Sequence, residues 1–89
     1  MKNIKFVELS SGRRYVIREA YRDDSGNIYC SKMIECSIGA YDQLIYKESV
    51  STVSLNNLIH IPKNAIAFEV RIVNLDVLDE RIREELGIS

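Results

Sequence analysis

Residues 65–74 read AIAFEVRIVN, in which Ile66, Phe68, Val70 and Ile72 alternate with Ala67, Glu69, Arg71 and Val73. A period of two sends successive side chains to opposite faces, so this is a strand with one wholly apolar face. Immediately afterwards the period changes. Leu75, Leu78, Ile82 and Leu86 fall at i, i+3, i+7 and i+11, an apolar stripe along a helix. The pattern predicts a helix of about three turns, capped by Asn74 or Asp76 and stopped by Gly87. Asp79 and Glu80 suit the positive end of its dipole, and Asp79–Arg83 and Arg81–Glu85 are opposite-charge pairs at i,i+4. A strand-to-helix switch hides both apolar surfaces when the helix lies on a sheet. Residues 65–74 are therefore expected as a central or near-central strand with one side on the core.

The rest of the chain supplies that sheet. Extended segments are expected over residues 2–9, 13–24, 28–38, 41–48, 49–55 and 58–61, separated by Ser10-Ser11-Gly12, Asp24–Asn27, Gly39, Asn56-Asn57 and Pro62-Lys63-Asn64. Ile and Val together outnumber Leu more than twofold, a β-leaning composition. The fold class that follows is α+β. It is a small antiparallel sheet of about five to six strands, curled or partly barrel-like, with one C-terminal helix packed on it. Residues 1–89 form a single domain.

Within residues 13–36 (RRYVIREAYRDDSGNIYCSKMIEC) the hairpin register decides which side chains share a face. A two- or four-residue loop around Ser25-Gly26 pairs residues whose numbers sum to 51. That register sets Ile17 opposite Ile34, Tyr15 opposite Cys36, Tyr21 opposite Cys30 and Glu19 opposite Lys32. Apolar then meets apolar, and opposite charges meet. The other face carries Arg14, Arg18 and Arg22 in a row beside Tyr29, Met33 and Glu35. Three planar guanidinium forks and an aromatic ring are the equipment for a phosphate or carboxylate ligand. Arg14, Arg18, Arg22 and Tyr29 are accordingly the candidate ligand-binding residues. A solvated strand face, with basic residues guarding a sheet edge, explains the same pattern without a ligand. A helix over residues 13–24 would also keep the arginines aligned.

Charge narrows the classes. The formal net charge is −1, with seven bases against five acids in residues 1–40 and five against eight in residues 41–89. A local basic patch fits this balance; the overall field of a bulk nucleic-acid binder does not. The two cysteines, Cys30 and Cys36, read as small apolar core residues, and a single His with this spacing matches no zinc motif. The glycines are scattered, so no phosphate loop is formed, and RDDSGN lacks the alternating acids of a calcium loop. His60 in LIHIP is the only anchor for an enzymatic reading and has no partner singled out by spacing. No cofactor or metal is expected. Neither a signal peptide nor an apolar run long enough to span a membrane is visible, which suggests a cytoplasmic protein.

The function expected from these features is non-enzymatic: a small binding or accessory protein, homo-oligomeric, of the inhibitor type found in bacteria and phages. Its partner would be a protein or an anionic small molecule such as a nucleotide. The alternatives are a nucleic-acid-binding module using the Arg14/Arg18/Arg22 face and a small enzyme centred on His60.

Overall fold

The computed structural model describes residues 3–88. It contains six strands and one α-helix: β1 (Ile4–Leu9), β2 (Arg14–Arg22), β3 (Ile28–Ile38), β4 (Leu44–Ser51), β5 (Ile59–Ile61), β6 (Ile66–Arg71) and α1 (Glu80–Leu86). All strand pairings are antiparallel, in the order β4-β3-β2-β1-β6, with β5 added to the first part of β3. This is the expected α+β arrangement, curled but not closed. The expected strand start at Lys2 lies outside the described residues.

Each face of the sheet has its own core. On one face Ile4, Phe6, Val16, Ile34, Cys36 and Leu44 meet Leu78, Ile82 and Leu86 of the C-terminal segment. On the other, Val7, Ile17, Ile28, Cys30 and Ile61 pack inside the curl of the strands. The parity of β1 shows the division: Ile4 and Phe6 point one way, Val7 the other. Burial of both thiols pushes Cys30 and Cys36 up to about 11, so they stay protonated and act as apolar filler.

Two hairpins use the same turn device. Leu9 N–H donates to Arg13 C=O around Ser10-Ser11-Gly12, and Asp23 N–H donates to Asn27 C=O around Asp24-Ser25-Gly26. In both loops the third residue is a glycine at φ +91°, where a side chain would be strained. Asp23 fastens the second loop by accepting from the backbone N–H of Ser25 and of Asn27 at 2.9 and 3.0 Å. A loop with an odd number of residues makes paired numbers sum to an even value, so the expected register of 51 is corrected. Tyr15 faces Glu35, Val16 faces Ile34, Ile17 faces Met33 and Tyr21 faces Tyr29, all summing to 50. Glu19 lies opposite Cys30, between two register shifts. β3 takes three steps from Cys30 to Met33 against two in β2, and β2 takes two from Glu19 to Tyr21 against one in β3. These offsetting bulges move side chains to the other face partway along the ribbon.

Three further expectations are revised. Residues 41–48 and 49–55 are not two strands: one strand, β4, is flanked by single 3-10 turns at Ala40–Asp42 and Leu55–Asn57. The helix is seven residues long, because Asn74 caps a separate 3-10 turn at Leu75–Val77 and Asp79 caps α1. Of the two expected i,i+4 pairs, Arg81–Glu85 is formed at 3.3 Å, whereas Asp79 spends its carboxylate on backbone N–H groups. Gly87 ends α1 in the left-handed conformation, as the sequence implies. Finally, β6 is not central. It pairs only with β1 among the described residues and forms the sheet's edge.

Candidate functional site

The four sequence-predicted ligand residues are not brought together. Arg14 lies opposite Glu8 on β1, and its Nε donates to the Glu8 carboxylate at 3.0 Å. Arg18 shares the helix-side face with Ile4 and donates to the Leu86 carbonyl at the C-terminal end of α1. Lys32 donates to the neighbouring Glu85 carbonyl at 2.8 Å. Two cations from the sheet thus hold the negative end of the helix dipole. Arg22 follows the second bulge and points to the opposite face, where it grips Glu69 at 2.6 Å beside Lys5 and Glu19. The expected row is split by the bulges, and each guanidinium already has a partner within the fold.

Tyr29 is occupied as well. Its ring stacks on Tyr21 at 4.8 Å on one side and on His60 at 4.8 Å on the other, with interplanar angles of 10° and 12°. The three rings sit on adjacent strands β2, β3 and β5, so they form a cross-strand ladder. Both faces of Tyr29 are used by protein neighbours. His60, the anchor of the enzymatic reading, is the outer ring of this ladder.

An apolar opening lies elsewhere, on the helix-side face along β6. Phe68 and Val70 are 53% and 47% exposed, although the alternation of residues 65–74 assigns them to a core-facing side. The reason is length. At ~1.5 Å per residue a seven-residue helix spans only ~10 Å, whereas five strands at ~4.8 Å spacing need about twice that. Its N-terminus is tied to β4: Asp79 N–H donates to the Leu44 carbonyl at 3.1 Å, and the Asp79 carboxylate accepts from Tyr46 N–H at 2.7 Å. With the helix held over β2, β3 and β4, the apolar face of β6 is left uncovered.

What remains is a groove of about 450 Å³, lined by Phe6, Ile38, Phe68, Val70, Ile72 and Val77. Phe6 and Phe68 pack edge to face across its floor with ring centroids 6.3 Å apart. Ile38 at 46% and Val73 at 74% exposure extend the apolar surface around it. Asp42 lines one rim, and it and Tyr41 both have positive φ, 60° and 58°, in the turn between β3 and β4. Non-glycine residues adopt this conformation at a cost, and here it presents a tyrosine ring fully to solvent. An exposed apolar floor that includes an aromatic ring is the composition of a protein-contact surface.

Sequence reasoning missed this site because it read β6 as a buried strand. No local signal marked the gap, because the stripe from Leu75 to Leu86 reads as three helical turns whereas α1 has seven residues, and the edge position of β6 follows only from the strand order. No helix among the described residues is long and apolar enough to cross a membrane. Comparison with protein-family models, with curated proteins and with solved structures returned no significant match.

Proposed function

We propose that this chain is a small non-enzymatic accessory protein that acts by docking to another polypeptide through the apolar face of β6. The observation that carries the reading is the uncovered groove: Phe68 and Val70 stand about half exposed on an edge strand, and Val73, just past its end, is more exposed still. Large adjacent apolar side chains on a small domain cost solubility unless a partner covers them, and such patches mark interaction surfaces. Tyr41, next in sequence to the rim residue Asp42, is fully exposed and is of the residue type enriched at binding hot spots. The internal partners of Arg14, Arg18 and Arg22 favour this face over an anion site, since an anion would have to displace them. His60, stacked on Tyr29, is held as a structural ring, which supports a non-catalytic role. Two unpaired buried thiols suit a reducing compartment such as the cytoplasm.

A photoreactive residue placed at Val73 tests the reading in the source cells. It should yield a discrete adduct with a polypeptide, and the additional change Val70→Lys should abolish it. Equal adduct formation with Val70→Lys present, or from a photoreactive residue at the exposed Ala20 position on β2, would overturn the reading.

A further inference from the structure

We infer that the polypeptide which docks on β6 is a second copy of this chain, paired antiparallel edge to edge with Val70 on the two-fold axis. The inference rests on the docking reading above and specifies its occupant. The backbone phase comes first. Ile72 N–H donates to the Ile4 carbonyl at 2.9 Å, and Val70 and Phe68 lie opposite Phe6 and Glu8 in the same ladder. In an antiparallel pair, hydrogen-bonding direction alternates along the strand. Residues 68, 70 and 72 therefore spend their N–H and C=O groups on β1, while 69 and 71 turn theirs outward. Among the described residues, no other strand meets those groups.

A second β6 approaching this edge must pair outward residues with outward residues. The paired numbers therefore sum to an even value, and charge selects which one. A sum of 140 sets Glu69 opposite Arg71 of the second copy, twice by symmetry. A sum of 138 sets Glu69 against its own equivalent, and 142 does the same to Arg71. Directly opposed like charges destabilise a strand pair and unlike charges stabilise it. In the favoured register, Val70 meets its equivalent and Phe68 meets Ile72 of the second copy at the close, non-hydrogen-bonded positions. The exposed apolar side chains of β6 thereby gain cross-strand apolar neighbours. The register that satisfies the free backbone edge is the one that matches both charge and apolar side chains.

The inference predicts which residues can be cross-linked. At the dyad the two Val70 Cα atoms would lie about 4.5 Å apart, within disulfide range. Val70→Cys should oxidise to a species of twice 10.2 kDa on a non-reducing gel, and the native thiols, being buried, should take no part. Ala67→Cys and Val73→Cys should each fail to link to themselves but should link to each other when mixed. Arg71→Glu, an exposed change, should weaken self-association in sedimentation equilibrium by about tenfold. A monomeric wild type and Val70→Cys, or equal self-linking of Ala67→Cys, overturns the self-pairing. If the Val73 adduct then contains a different polypeptide, the docking face stands and only its occupant is wrong. If Val73 gives no adduct and the chain is monomeric, both readings fall.

Discussion

Replacing Asp79 with alanine tests the account of why the helix sits where it does. Its carboxylate accepts from Ile82 N–H at 2.8 Å, capping α1, and from Tyr46 N–H at 2.7 Å, binding the helix to β4. Truncating an N-cap carboxylate costs about 1 kcal/mol. Leaving the partly buried Tyr46 amide without an acceptor costs roughly 1–3 kcal/mol more. The total is about 2–4 kcal/mol, a large share of the roughly 5–13 kcal/mol expected for a domain of this length. With a urea m-value of about 1–2 kcal/mol/M, the midpoint should fall by roughly 2 M in denaturation followed by far-ultraviolet circular dichroism. Asp79→Asn should fall between the two, because one amide oxygen can cap Ile82 while the amide NH₂ faces a donor at Tyr46. Dye binding to exposed apolar surface should rise, since a loosened helix uncovers Val16, Ile34 and Cys36. A loss below about 0.5 kcal/mol for Asp79→Ala, well under the usual cap contribution, would refute the idea that this carboxylate seats the helix.

Other expectations concern the turns, the thiols and the acid limb. Gly12→Ala and Gly26→Ala should each destabilise by about 1–2 kcal/mol, the cost of a left-handed L-residue. Thermal melts should separate them only slightly, because the one close contact, Lys63 Cδ at 2.8 Å from a Cβ at position 26, belongs to a flexible side chain. Cys30 and Cys36 should resist alkylation at neutral pH until the protein unfolds; rapid labelling of the native protein would contradict their burial and raised thiol values. Hydrogen bonding from the Asn27 side chain lowers Asp23 below its ordinary value. Glu85 is lowered chiefly by the Ser49 hydroxyl, with Arg81 and Lys32 adding to it. A depressed carboxylate contributes stability above its unfolded value, and that contribution is lost as pH falls through the folded one. The melting temperature should thus drop as pH falls below about 4, and a flat profile down to about pH 2 would contradict these contacts.

Much of the fold was legible in local pattern. The shared face of Phe68, Val70 and Ile72, the burial of Ile82 and Leu86 on one side of a helix, and Gly87 as its stop appear as read, because each depends on backbone periodicity or on a single residue's conformational freedom; Ile66, past a bulge, packs with Leu9 in the other core, and Leu78 precedes the helix. The two cysteines are core filler, as free apolar thiols usually are. The register of the β2–β3 hairpin was also encoded, but in a subtler mark. Asp23 and Gly26 specify a three-residue loop with glycine at positive φ, and that odd count shifts the pairs outside the bulged segment from 51 to 50.

Tertiary structure decided the rest. Arg14, Arg18 and Arg22 are evenly spaced in sequence, yet bulges form where two strands' steps disagree, and that disagreement is a property of the pair. Their partners come from Glu8, from the Leu86 carbonyl and from Glu69, brought in by other elements. The same holds for β6. Its sequence places Ile66, Phe68, Val70 and Ile72 on one apolar side, and this holds for the last three, while a bulge turns Ile66 to the other core. Whether that side is buried depends on which strand lies at the edge and on how far a helix anchored at Asp79 on β4 can reach. Alternation describes two faces of a strand; only the assembled sheet determines which neighbour, if any, covers each of them.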